Sequence, residues 1–342
     1  MTSTDILAGM APIIERDMAP AQQPLDVVAA TDEPFVIRGL AAQWGLVQKA
    51  HMSNSEVFNY LRGFAADVPV YASRGAPANE GRVFYSDDLA AMNFEQVETR
   101  MTAVIDDLEQ HEHDAHPPTI YMGSTETEYC MPGFTADNHL ELPDIRPTVR
   151  IWLGNRHRVA AHYDVLENIA VVVAGRRRFI LFPPEQIANL YVGPIDFTPA
   201  GQPVSMVDFE RPDFERFPRF AEAVKHARTA VLEPGDAVYI PSTWWHHVEG
   251  LENLNILINH WWHPVPAYLG APLDALLHAI LSIRDLPAPQ RKAWRTFFDH
   301  YIFDPDEQLA AHIPEGRRGV LDPLDANSAR KIRMMLRNKL NK

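Results

Sequence analysis

The sequence predicts a mainly β protein, an antiparallel sandwich or barrel, with α/β elements before it and a helical region after it. Two observations carry this. Between residues 119 and 262, six short β-branched and aromatic runs (TIYMGS, TVRIWLG, ENIAVVVAG, RRFILFPP, TAVLEPGDAVYIP and NILINHWW) are separated by Pro, Gly and Asp. From residue 265 the pattern changes: APLDALLHAILSIR and RKAWRTFFDHYIF space their apolar residues helically, and SARKIRMMLRNKL is a basic amphipathic stretch. The chain therefore divides into a leader (1–30), a β-rich domain with its preceding elements (31–264) and a helical tail (265–342).

Taken in order, the leader is rich in Ala, Pro and Gln without sustained periodicity and is expected to be partly disordered. PFVIRGL, Pro34 to Leu40, is a short strand-like run. Residues 54–64 read as a helix capped by Ser53 or Ser55, and PVYAS at 69–73 reads as a strand. A further helix is expected over about 94–110, where Phe94, Val97, Met101, Val104, Ile105 and Leu108 recur at three and four residues. Residues 184–230 form a long excursion with a helix at FAEAVKHAR; its length predicts a loop or lid rather than a hairpin.

Composition narrows the chemistry. Apolar residues make up 46% and charged residues 22%, and no run approaches the roughly eighteen apolar residues of a membrane helix. The first twenty residues carry neither a basic leader nor an apolar segment with a cleavage site, so the cytoplasm is the expected compartment. A single cysteine, Cys130, excludes an intramolecular disulfide and a thiolate zinc cage, leaving nitrogen and oxygen ligands for any metal. Lysine and arginine number 31 against 45 acidic residues; the net charge of -14 argues against a nucleic-acid partner.

The informative segment is AHYDVLEN, 161–168. In strand geometry His162 and Asp164 project to one face with Tyr163 opposite, and imidazole plus carboxylate is two thirds of the facial triad suited to iron(II). In EPGDAVYIPSTWWHHVEG, 233–250, Pro234-Gly235-Asp236 turns the chain into a strand from Ala237 to Ile240, and Pro241 ends it. Trp244 to His247 then fall at or beyond the strand edge, where one of His246 and His247 completes the triad.

The ordered motifs HYDVLEN, AGRRRFILFPPEQ, PGDAVYIPSTWWHHVE and INHWW resemble the JmjC-type, cupin-like oxygenases, especially the branch containing the asparaginyl hydroxylase of hypoxia-inducible factor. The resemblance is strongest over about 145–262. It implies a double-stranded β-helix, the jelly roll, with iron(II) held by His162, Asp164 and His246. It also implies 2-oxoglutarate as cosubstrate with dioxygen, assisted by Asn168 and Asn259. The distal carboxylate of 2-oxoglutarate needs a buried cation. Where the family commonly has lysine this chain has Arg177, where it has threonine there is Val159, and Tyr121 matches its tyrosine. Strand alternation sets Arg177 inward between outward Arg176 and Arg178, against the alternative of one solvated basic patch.

The resemblance implies hydroxylation of a protein or peptide side chain, with small-molecule hydroxylation or N-demethylation as alternatives, and a non-catalytic cupin-like ligand-binding protein as a different class. Phe84, Tyr85, Trp244, Trp261 and the 205–220 excursion are the expected substrate contacts, with core packing expected for at least two of Trp244, Trp245, Trp261 and Trp262. The amphipathic tail is expected to support a homodimer.

Overall fold

The computed structural model describes residues 9–18, 23–28, 31–199 and 201–341; the expectation of disorder for the rest of the leader lies outside them. The chain divides into two compact units, Met1–Pro264 and Val265–Lys342.

Eight consecutive strands build the centre of the first unit: β8 (Thr148–Gly154), β9 (His157–Tyr163), β10 (Glu167–Ala174), β11 (Arg177–Phe182), β12 (Arg228–Leu232), β13 (Ala237–Ile240), β14 (Trp245–Gly250) and β15 (Asn255–Trp262). One sheet contains the order β12-β11-β14-β9 and the other β13-β10-β15-β8, all antiparallel. Two successive Greek keys wrapped in this way form a jelly roll. The ordering lets the ends of β9 and β14, distant in sequence, lie side by side.

Earlier strands extend both sheets. These are β1 (Ala11–Pro12), β2 (Ile14–Glu15), β3 (Phe35–Ile37), β4 (Pro69–Gly75), β5 (Arg82–Val83), β6 (Phe94–Arg100) and β7 (Thr119–Glu126). They complete a six-stranded sheet, β1-β12-β11-β14-β9-β5, and a nine-stranded one, β2-β3-β13-β10-β15-β8-β7-β4-β6. The described leader is therefore partly structured, because Ile13 inserts into the core, only 2% exposed, while β1 and β2 pair in parallel with β12 and β3. Two-residue strands leave no periodicity for a pattern reading to find.

The helix expected over 94–110 is corrected to a strand followed by a helix. Seven residues from Phe94 to Arg100 pair in register with β4, and only Met101–Gln110 is helical. The helical spacing is real from Met101 onward, where Met101, Val104, Ile105 and Leu108 are buried; upstream, sheet pairing overrides local propensity. The Asn54–Phe64 helix starts as expected, with Ser53 Oγ accepting from the Glu56 amide at 3.2 Å.

Three apolar layers hold the unit together. Val172, Phe179, Leu181, Val238, Ile240 and Leu257 meet between the sheets. Helices 45–50, 54–64 and 101–110 contribute to a layer with Ile151, Leu153, Val171, Val173, Ile256 and Ile258 on the outer face of the nine-stranded sheet. Covered on both faces, β10 is buried at every position after Glu167, hence the unbroken apolar run IAVVVA. The excursion between β11 and β12 supplies the third layer: Val207, Phe209 and Phe220 pack with Ile180, Phe182 and Trp245. Burying each such aromatic side chain stabilises the fold by about 2–3 kcal/mol. Within 205–220, Val207 and Phe209 and the half-buried Phe214 and Phe217 therefore serve as core.

Gly175 sets where β11 begins. It lies at φ +69 in the turn after β10, and a Cβ there would strike the Leu254 carbonyl oxygen, so only glycine delivers Arg177 into the first position of the strand.

The second unit contains helices Pro272–Ser282, Ala288–Phe298 and Ala326–Leu340, the last opened by a capping box between Asp325 and Ser328. Among the described residues no helix is long and apolar enough to cross a membrane.

Candidate metal centre

His162 and His246 are partners in register on β9 and β14. Their ring centroids are 4.2 Å apart. Asp164 follows β9 by one residue and is fixed by its own carbonyl, which accepts from the Thr243 amide at 2.7 Å. Its Oδ2 stands 3.6 Å from His246 Nε2, and one ligand atom from each of the three residues falls within 4.8 Å of the others.

Both imidazoles are oriented by local backbone. His162 Nδ1 lies 2.9 Å from the Ala160 carbonyl and His246 Nδ1 3.0 Å from the Trp244 carbonyl. A carbonyl only accepts, so each Nδ1 carries the proton and each Nε2 keeps its lone pair for a metal. Burial, and then the neighbouring His162, push His246 down to about 4, keeping it neutral at physiological pH. Two neutral imidazoles and one carboxylate on one side of a site fit a divalent first-row cation and leave its other positions open.

The structure resolves the histidine pair. His247 follows His246 directly along β14, so strand alternation turns it to the opposite face. There it stacks on Phe209 at 4.5 Å and its Nε2 meets Glu249 at 3.1 Å. The expected strand edge also needs correction: Pro241 to Trp244 is a turn, with Thr243 at φ +67, and a new strand starts at Trp245. His246 is thus held by a sheet rather than a loop.

The triad lines one wall of a cavity of about 450 Å³ inside the barrel. Arg177, Tyr121, Asn168, Asn259, Val159 and Trp261 line it too. Asn259 Nδ2 donates to Asn168 Oδ1 at 2.8 Å, while Asn259 Oδ1 is buried with no partner. Arg177 is 1% exposed and has no acidic partner among the described residues; its Nη2 donates to the Trp152 carbonyl at 3.3 Å, and its guanidinium meets the Tyr121 hydroxyl. Arg176 and Arg178 instead pair with Glu252 and Glu249, each at 2.6 Å. Burial lowers Arg177 to about 10, still charged, and raises Tyr121 beside it to about 12, still protonated.

Three expected substrate contacts lie elsewhere. Trp244 is not in the cavity wall; it packs in the core, 8% exposed, beneath the Arg228 guanidinium at 5.6 Å. Phe84 and Tyr85 pack behind Ala160 and Val204, which line the cavity, and Tyr85 Oη donates to the Phe197 carbonyl at 2.6 Å. The outer wall is made instead by Tyr71, Ser73, Gln96, Trp152, Gly201 and Val204. Trp152 meets Trp261 edge to face at 5.8 Å. Its position was readable from alternation: Ile151 and Leu153 belong to the outer layer, which leaves Trp152 facing inward.

The model of the cupin-like domain matches residues 20–268. Lysine-specific demethylase JMJ31 of Arabidopsis thaliana is 28% identical over 261 residues, covering 69% of this chain and 47% of the relative. The chain is 35% identical to tRNA wybutosine-synthesizing protein 5 of Gallus gallus over 106 residues, covering 31% of this chain and 30% of that protein. It is 31% identical to human HSPB1-associated protein 1 over 148 residues, covering 42% of this chain and 30% of that protein. The aligned parts span less than half the length of each relative, and none of the three names points to the asparaginyl hydroxylase branch. The family match, by contrast, takes in the whole jelly roll and all three candidate ligands, and on that basis the chain belongs to the cupin-like domain family.

Proposed function

We propose that the chain is an Fe(II)- and 2-oxoglutarate-dependent oxygenase that hydroxylates a protein or peptide side chain. The observation that carries this reading is the unpaired buried cation of Arg177, facing the same cavity as His162, Asp164 and His246. A desolvated guanidinium without a carboxylate is costly unless a ligand supplies one. A ligand with a chelating 2-oxo acid at one end and a carboxylate at the other satisfies both ends of the cavity.

His162, Asp164 and His246 would hold the iron. Bound iron with 2-oxoglutarate supplies oxidative decarboxylation to succinate and CO2, coupled to oxidation of a substrate C–H bond. The protein's part is placement. Arg177 and the Tyr121 hydroxyl fix the distal carboxylate, while Asn168 and Asn259, hydrogen-bonded to each other, line the same cavity. Trp152, Trp261 and Val204 limit water access and shape the mouth.

Among the described residues that line the cavity, only Asp164 and Arg177 are Asp, Glu, Lys or Arg, which supports an uncharged reacting side chain over a methylated ammonium. Incubating the iron-loaded protein with cell extract, 2-oxoglutarate and ¹⁸O-labelled dioxygen tests the choice. New label on protein side chains is expected; label confined to metabolites, or formaldehyde release without retained oxygen, contradicts it.

We also infer a homodimer through the second unit, whose first two helices bury none of their residues and expose Leu276, Leu277, Leu281, Trp294 and Phe297. Light scattering of the full chain should give twice the monomer mass. A folded monomer across micromolar concentrations contradicts it.

A further inference from the structure

The reading above leaves one side chain behind the cavity unexplained. His157, the first residue of β9, is 0% exposed and lies outside the cavity lining. Its Nδ1 is 2.6 Å from the Asn155 carbonyl. Asn155 is itself fixed, its Oδ1 accepting from the Ile120 amide at 3.1 Å and its Nδ2 donating to the Pro118 carbonyl at 2.8 Å. Nδ1 therefore carries the proton and Nε2 has the lone pair. That lone pair is buried and has no donor among the described residues.

Register places His157 beside Arg177. Across three adjacent strands Arg177 pairs with Gly250, and Gly250 pairs with His157, so the two ends of the row project to the same side with a glycine between them. The glycine is required, because a Cβ at 250 would lie 2.7 Å from His157 Cε1. At the other end of the row Arg177 Nε is buried with no acceptor among the described residues. The Tyr121 ring, 4.5 Å from the imidazole, closes the group. An orphaned acceptor and an orphaned donor thus share one enclosed space.

The choice of imidazole has a physical consequence. A carboxylate at 157 would pair with Arg177 and remove the free cation that a ligand needs. An apolar side chain would leave Nε–H without an acceptor. A neutral imidazole accepts one hydrogen bond and leaves the charge uncompensated. Burial, and then the Arg177 cation, hold it neutral by pushing it down to about 3.

We propose that His157 is a positioning residue for the cosubstrate: one water accepts from Arg177 Nε–H and donates to His157 Nε2, and so turns the two Nη groups toward the distal carboxylate. The proposal rests on the oxygenase reading above. It extends the site past the cavity wall to a residue that never touches the ligand.

The test compares 2-oxoglutarate with pyruvate, which has the same chelating end and no distal carboxylate. Both are titrated calorimetrically into anaerobic Fe(II)-loaded wild type, His157→Phe and His157→Gln. The phenylalanine variant should bind 2-oxoglutarate about tenfold more weakly, the loss of one hydrogen bond to a charged group. Pyruvate and Fe(II) affinities should stay within about twofold, and glutamine, which retains an acceptor, should recover most of the loss. Equal weakening of both oxo acids would mean a merely structural histidine and overturns the proposal, as does unchanged 2-oxoglutarate affinity in the phenylalanine variant. Should that variant not fold, Arg177→Lys, which keeps the cation and lacks Nε–H, is expected to show the same selective loss; wild-type affinity there overturns it. A wild type that fails to prefer 2-oxoglutarate to pyruvate removes the oxygenase reading first, and the proposal with it.

Discussion

Arg177→Ala is expected to weaken 2-oxoglutarate binding by about a hundredfold or more, the scale for truncating one partner of a buried charge pair. Fe(II) affinity should be unchanged, because Arg177 belongs to the first position of β11 and the ligands to β9, β14 and the residue after β9. The effect on stability separates function from structure. Arg177 is buried without an acidic partner among the described residues, so in the ligand-free protein it costs desolvation that the Trp152 carbonyl and Tyr121 hydroxyl return only in part. Alanine should therefore leave the ligand-free melting temperature unchanged or higher while abolishing the stabilisation that 2-oxoglutarate confers on wild type. Arg176→Ala is the control. Its partner is exposed Glu252, and such a surface pair is worth less than about 1 kcal/mol. Cosubstrate affinity equal to wild type in Arg177→Ala would remove the role assigned to that residue.

Asp164→Ala should act on the other half of the site. Losing the only carboxylate of the cluster leaves two neutral imidazoles, and Fe(II) affinity should fall by roughly a hundredfold or more, beyond the losses typical of outer-shell changes. Cosubstrate binding should fall with it, since chelation needs the metal. His247→Gln is the informative neighbour, because strand alternation aims His247 at Phe209 and Glu249 rather than into the cavity. That variant should keep Fe(II) affinity within about twofold of wild type. Its folded state should be modestly less stable, since a packed side chain and its hydrogen bond are changed. A metal titration that responded to His247 and not to His246 would reverse the assignment.

The two substitutions also show which parts of the site were legible before the fold. His162 and Asp164 sit two apart on an extended segment, and Arg177 is flanked by two arginines; period-two geometry is enough to place such residues on one face. His246 was different. Choosing it over His247 by geometry requires the pairing of His246 with His162 across β14 and β9, a non-local feature that neither segment encodes alone. Trp244 misled for the same reason: its place near the motif suggested the mouth, yet the turn from Pro241 directs it into the core. The excursion after β11 read as a loop or lid from length; Pro199, Gly201 and Val204 of it line the cavity, while its phenylalanines cover a sheet face, which length alone does not reveal. Strand β6 read as helix because spacings of three residues occur on both elements, and pairing with β4 decides between them. His157 could not be distinguished in the sequence from fourteen other histidines; only the row through Gly250 connects it to Arg177.

The central claim is that one cavity joins a metal held by His162, Asp164 and His246 to an oxo acid held by Arg177. The most direct measurement is conversion of 2-oxoglutarate to succinate by the Fe(II)-loaded chain in air, followed by mass spectrometry alongside Asp164→Ala and Arg177→Ala. Slow substrate-independent turnover in wild type is expected, absent without iron or with Asp164→Ala, and restored in Arg177→Ala only at far higher 2-oxoglutarate. Iron-loaded wild type that neither binds 2-oxoglutarate nor forms succinate would contradict the account.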